Sequence, residues 1–184
     1  MTSCLLIIDL FNDCLEHLPP GRAHRVVTNT NDLVAHFRAA NLPIVWVRQE
    51  FAPDLSDAFL EMRKRGIKTA IAGTTGAQLD RRLDVASDDS VIVKKRYSAF
   101  FGTELDRMLE ARGVTQLVLA GINLHACVRT TAIDAYQRDL DVILAADCLD
   151  GYDEEHTAIS LKYMDGKIAV IEDTMSLKRR FPVG

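Results

Sequence analysis

Asp9, Lys94 and Cys127 have side chains suited to chemistry and positions that would let them act together. Asp9 directly follows the apolar run Cys4-Leu5-Leu6-Ile7-Ile8, and Lys94 directly follows Val91-Ile92-Val93. Cys127 comes shortly after Leu117-Val118-Leu119-Ala120 and Gly121, which breaks that run. A charge placed straight after an apolar run is costly unless it is paired or solvated. A carboxylate, an ammonium and a thiol at one crevice form the set that nucleophilic catalysis needs. The carboxylate can take the thiol proton, and the ammonium can hold the negative charge in place. The plainer readings are a structural ion pair for Asp9 and Lys94, and a small buried apolar residue for Cys127.

Cys127 stands where a helix is expected to begin, because Val128, Thr131, Ala132 and Ala135 recur at helical spacing. First-turn N–H groups and the helix dipole would there stabilise a thiolate. The same N–H groups can receive an oxyanion.

The elements that must position these residues alternate along the chain. Apolar runs at 4–8, 44–47, 90–93, 116–120, 142–146 and 167–171 read as strands. Between them, Val26, Val27, Thr30, Leu33, Val34 and Phe37 trace a helical stripe. Residues 103–112 form a helix capped by Thr103 and stopped by Gly113. The helix that follows the fourth strand runs to about Arg138, and Asp153 caps another to Met164. Short helices are expected at 58–65 and 78–85. Residues 48–76 otherwise read as a long loop, and such loops are usually functional. The alternation implies an α/β fold: a three-layer αβα sandwich on a six-stranded, mostly parallel sheet of order 3-2-1-4-5-6. Asp9, Lys94 and Cys127 then share the carboxyl edge, where open α/β sheets bind ligands. A single domain over 1–184 is expected, with no repeat or linker.

Composition narrows the classes. With 48% hydrophobic and 26% charged residues the chain reads as globular and large enough for its own core. A net charge of −4 argues against nucleic acid as partner. No uncharged run approaches the ~20 residues of a membrane span. The first residues lack a basic leader pattern, and the four cysteines lack CxxC spacing, so a reduced cytoplasmic setting is expected.

The chain resembles the isochorismatase-like cysteine hydrolases over nearly its whole length. The segments carrying the resemblance are LLIIDLFND (5–13), GTTGAQL (73–79), VIVKKRYSAFFGTEL (91–105), AGINLHACVRTTAIDA (120–135) and DEEHTAISLKYM (153–164). The resemblance implies Asp9 as general base, Lys94 as the second triad member and Cys127 as nucleophile. Spacing to Tyr97 favours Lys94 over Lys95. It implies an oxyanion hole from the N–H groups of Asn123 and Cys127, and a cis peptide after Ile122. The implied reaction cleaves an amide or carbamoyl C–N bond of a small molecule through a thioester, with no metal or cofactor. Relatives of this kind form homodimers or homotetramers. The aromatic residues Phe11, Phe51, Tyr97 and Phe100 are candidates for the pocket wall, whereas Phe101 reads as packing. His125 is a further pocket candidate whose plainer reading is a rim or subunit contact.

The chain also departs from the pattern. Phe11 and Asn12 stand where relatives often carry a glutamine, and Leu124 stands where many carry a threonine. Residues 46–54 hold no histidine, which disfavours a metal-dependent nicotinamidase. The alternatives are an isochorismatase-type vinyl-ether hydrolase and a non-catalytic thiol sensor on the same scaffold.

Overall fold

The apolar runs become six strands: β1 (Thr2–Ile8), β2 (Ile44–Gln49), β3 (Ser90–Lys94), β4 (Val114–Gly121), β5 (Asp141–Leu149) and β6 (Val170–Glu172). The structure is a computed structural model that describes residues 2–183. The strands form one sheet of order β3-β2-β1-β4-β5-β6, and every neighbouring pair is parallel. The expected order is thus observed. β6 is shorter than expected and displaced toward the C-terminus.

The described residues form seven α-helices: α1 (Asn12–Leu15), α2 (Pro20–Ala39), α3 (Leu60–Arg65), α4 (Leu105–Ala111), α5 (Arg129–Tyr136), α6 (Glu154–Met164) and α7 (Thr174–Arg180). The two-residue period of the strands divides the core. Leu5, Ile7, Val118 and Ala120 face α2 and α7, meeting Phe37 and Leu177. Cys4, Leu6, Leu119 and Leu144 face the other way, toward Leu105 of α4, Ala132 of α5 and Met164 of α6. Burying each such large side chain contributes roughly 1.5–3 kcal/mol. Parallel strands covered on both faces read as unbroken apolar runs, which is why they were visible in the sequence.

Two helix expectations need correction. Residues 78–85 are turns, because Asp80 binds the backbone N–H and the guanidinium of Arg82, a local pairing that competes with helix. The fourth helix starts at Leu105, although Thr103 Oγ1 still accepts from the Leu105 N–H at 3.3 Å.

The switch point lies between β1 and β4, where Ile8 pairs with Gly121. Gly121 has φ +113°, and a Cβ there would overlap the Ile8 carbonyl. Only glycine lets β4 leave the sheet so close to β1. The Ile122 N–H then donates to the Ile8 carbonyl at 2.9 Å, fixing the start of the turn that carries Cys127.

Candidate active site

β1, β3 and β4 deliver their charged and reactive residues to one place. Asp9 follows β1 with φ 59°, a left-handed conformation that aspartate tolerates better than most residues. Lys94 closes β3. The Cys127 turn is a five-residue π-helical segment, Leu124–Val128, that leads into α5. Lys94 Nζ lies 2.7 Å from Asp9 Oδ2 and 3.3 Å from Cys127 Sγ. Its third contact is the Arg96 carbonyl at 3.2 Å. Three ammonium hydrogens meet three acceptors. Asp9 and Lys94 are 1% and 0% exposed, and Cys127 is 5% exposed. Beyond the ion pair, the Asp9 oxygens have no hydrogen-bond partner among the described residues. Lys95, the neighbour passed over above, pairs instead with Asp57 at 2.8 Å.

The proton inventory differs from the expectation. Burial, and then the Asp9 charge, push the Cys127 thiol well above its ordinary value, and Lys94 only partly opposes them. Burial alone would depress Lys94. The Asp9 carboxylate beside it outweighs burial and raises the lysine instead. Both directions favour the protonated amine and the protonated thiol. That direction runs against the expected helix-dipole thiolate, since Cys127 is the fourth residue of a tight, buried turn rather than an exposed first-turn residue.

The turn itself is held from two sides. Thr131 Oγ1 donates to the Cys127 carbonyl at 2.8 Å and accepts from the Ala99 N–H at 3.0 Å. That hydroxyl ties the cysteine turn to the loop after β3. The Leu124 N–H donates to the Asp150 carbonyl at 2.9 Å. The Ile122-Asn123 peptide is cis.

A cavity of about 550 Å³ opens above these residues, and Asp9, Asn123 and Cys127 lie on its wall. Phe11 and Tyr97 line it, as the sequence suggested. Phe100 does not: it is buried in the core between the sheet and α5, with the Arg138 guanidinium 4.4 Å above its ring. His125 is also absent from the wall. It packs edge-on against Tyr152 at 4.9 Å and faces Thr157, and burial lowers its proton affinity. Two residues before Cys127 on a helical turn, its side chain leaves on the far side of the segment.

Several wall residues escaped the sequence reading. Phe59, Met62 and Thr69 come from the 50–76 segment, and Tyr152 from the turn before α6. Asp13 also lines the cavity and accepts from the Ala70 N–H at 2.8 Å. That contact, with Gly76 packed so closely that a Cβ would strike the Asp13 carboxylate, anchors the loop. The spacing of GTTGAQL held this signal, because a glycine at a close approach has no substitute. Cys14 lines the same wall, and Asn123 Nδ2 donates to its Sγ at 3.7 Å. Among the described residues, no three His, Cys, Asp or Glu side chains converge as a metal-binding set.

The sequence profile of the Isochorismatase domain matches residues 3–176. The uncharacterized isochorismatase family protein YecD of Escherichia coli O157:H7 is 28% identical, over 91% of this chain and 90% of that protein. An isochorismatase family protein from Desulfovibrio vulgaris subsp. vulgaris str. Hildenborough superposes with a TM-score of 0.87 at 31% identity, covering 97% of each chain. N-carbamoylsarcosine amidase from Thermoplasma acidophilum superposes with a TM-score of 0.81 at 28% identity, covering 95% of this chain and 97% of that one. This chain belongs to the isochorismatase-like hydrolase family.

Proposed function

We propose that this chain is a cysteine hydrolase that cleaves the C–N bond of a small amide or carbamoyl compound through a thioester on Cys127. The observation that carries the reading is the unbroken contact from carboxylate to buried ammonium to thiol, with the carboxylate and the thiol on one cavity wall. The likeness to an amidase of known name supports the bond type.

In this reading Asp9 takes the Cys127 proton as the substrate carbonyl arrives. The sulfur adds to the carbonyl carbon, and the π pair moves to oxygen. The N–H groups of Asn123 and Cys127 receive that oxyanion. The intermediate collapses, the C–N bond breaks, and the leaving nitrogen takes the proton from Asp9. Water then gives a proton to Asp9 and adds to the thioester. The C–S bond breaks, the acid leaves, and Asp9 returns the proton to sulfur. Lys94 keeps its charge throughout and holds the anionic partner of the moment in position. The raised thiol fits this order, since the nucleophile is made only when a carbonyl is there to receive it.

The test is mass spectrometry of the protein with a panel of small amides. An acyl adduct on Cys127, with turnover lost in Cys127→Ala, supports the reading. Reversible oxidation of Cys127 without turnover of any amide would overturn it in favour of a thiol sensor. Turnover of isochorismate that survives Cys127→Ala would overturn it in favour of ether hydrolysis.

A further inference from the structure

The charge pattern of the cavity bears on the substrate. Among the described residues on its wall, three carry carboxylates, Asp9, Asp13 and Glu61, and none is lysine or arginine. The nearest ammonium, Lys94, is fully buried with all three of its hydrogens engaged. The surrounding cations are occupied as well. Arg48 pairs with Glu50 at 2.7 Å, and Lys95 with Asp57. Arg96 donates to the Asp57 and Lys95 carbonyls and lies over the Phe59 ring. Glu61 pairs with Arg65 at the exposed rim. Asp13 meets two neutral donors, Ala70 N–H and Thr69 Oγ1, and no cation among the described residues. His17 is engaged through Nδ1 on the Asp13 carbonyl at 2.7 Å. An anionic group entering here would meet three carboxylates on the wall and, among the described residues, no lysine or arginine there. Burying a charge without a partner is costly.

The rest of the wall is apolar. Phe11, Phe59, Met62, Tyr97 and Tyr152 surround the space. Aromatic faces and a thioether suit a ring or a short alkyl body, and the π faces attract cations rather than anions. The cavity volume falls in the range of small-molecule sites.

We infer that the substrate is a small amide or carbamoyl compound with an apolar body and no anionic group, either neutral or cationic. This rests on the hydrolase reading for the place of the scissile carbonyl next to Cys127. The same field weighs against isochorismate, which carries two carboxylates.

The experiment uses one ring with three charges: benzamide, the 3-carbamoyl-1-methylpyridinium cation and 3-carbamoylbenzoate. Dissociation constants are measured by calorimetry on Cys127→Ala, which cannot turn over, and acyl adducts are scored on the unmodified protein. The anion is expected to bind about tenfold or more weakly than benzamide, and the cation at least as well. Glu61→Lys, at a side chain 71% exposed, is expected to narrow the cation-to-anion ratio by about threefold at low salt. The inference is overturned if the anion binds as well as benzamide, if none of the three binds at millimolar concentration, or if Glu61→Lys leaves the ratio unmoved. Should the expected ranking appear while no amide acylates Cys127, the inference stands and the hydrolase reading falls.

Discussion

Asp9 and Asp150 are both buried carboxylates just past a strand end, one after β1 and the other after β5, and they are held in opposite ways. Asp150 is saturated. Arg22 grips it with Nε at 3.1 Å and with its terminal nitrogen, Arg25 adds a contact at 2.7 Å, and the Gly151 N–H donates at 2.7 Å. Although burial opposes it, the Arg22 hydrogen bond heads the contacts that hold the Asp150 carboxyl below its usual range. Asp9 has one cation and a thiol beside it, and its oxygens are otherwise unpartnered among the described residues. A carboxylate that is fully bonded has nothing left to offer a substrate. One that is short of donors and faces a cavity can still take a proton. The two regions also touch, because the Asp150 carbonyl receives the Leu124 N–H of the cysteine turn. The saturated site thus supports the unsaturated one.

The contrast is broken or sharpened most by removing the reactive groups. Asp9→Asn and Cys127→Ala are each expected to lower amide turnover about a thousandfold. The two variants should part in alkylation chemistry. The Asp9 charge raises the Cys127 thiol. Asp9→Asn should therefore lower the thiol from its present value, with burial still holding it up, and speed its reaction with iodoacetamide even as turnover is lost. Slower alkylation in Asp9→Asn would mean that Asp9 promotes the resting thiolate, and the proton order proposed above would be wrong. Cys4 and Cys148, whose thiols burial pushes up to about 12, serve as internal controls that stay unlabelled at neutral pH.

Stability gives the next effect. Lys94→Ala strands a fully buried carboxylate, at a cost of about 3–5 kcal/mol in urea unfolding. The double variant Asp9→Asn with Lys94→Ala removes both charges and should cost clearly less than the sum of the two singles. Strict additivity would show that the pair is not coupled.

Asp150→Asn is expected to cost about 1–3 kcal/mol, since Arg22 and Arg25 are partly exposed and regain water. Here the sign with pH is fixed. The Asp150 carboxyl sits below its ordinary value of 3.8, so its pairs add stability above that value and lose it as pH falls through the lower folded value. The stability gap between the unmodified protein and Asp150→Asn should be full at pH 6, shrink as pH falls through 3.8, and close below the lower folded value. A gap that persists in acid would place the effect in packing rather than in charge.

The fold was readable because each strand of a parallel sheet is buried on both faces, and its run of Val, Ile and Leu survives translation into sequence. The meeting of Asp9, Lys94 and Cys127 was readable for a related reason. In a parallel sheet every strand end points to the same edge, so residues far apart in the chain need only share a register. What lay outside that logic was missed or misplaced. Phe59 and Met62 sit in the expected short helix at 58–65, but nothing in its sequence said that this stretch folds over the cavity. Phe100 and His125 were drawn to the pocket by their neighbours in sequence, but the loop after β3 turns Phe100 into the core, and the π-helical turn carries His125 toward Tyr152. The upward push on the Cys127 thiol was not legible because burial and the Asp9 charge are three-dimensional quantities.

The smallest expected effect tests the saturated side of the contrast most directly. Arg25 is 43% exposed and shares Asp150 with Arg22, and it also reaches the Asp147 carbonyl at 3.1 Å. Arg25→Ala leaves Asp150 with the Arg22 grip and the Gly151 N–H, so no buried oxygen loses its last partner. A half-exposed pair of this kind contributes at most about 1 kcal/mol. For a chain of this length that is a fall of roughly 2–4 °C in Tm. Because the Leu124 contact runs through the Asp150 backbone and not its carboxylate, kcat should hold within about twofold, a difference of roughly 0.4 kcal/mol in barrier. A much larger loss of kcat at unchanged Tm would mean that the arginine clamp sets the geometry of the cysteine turn, and the division between a supporting and a reacting carboxylate would no longer hold.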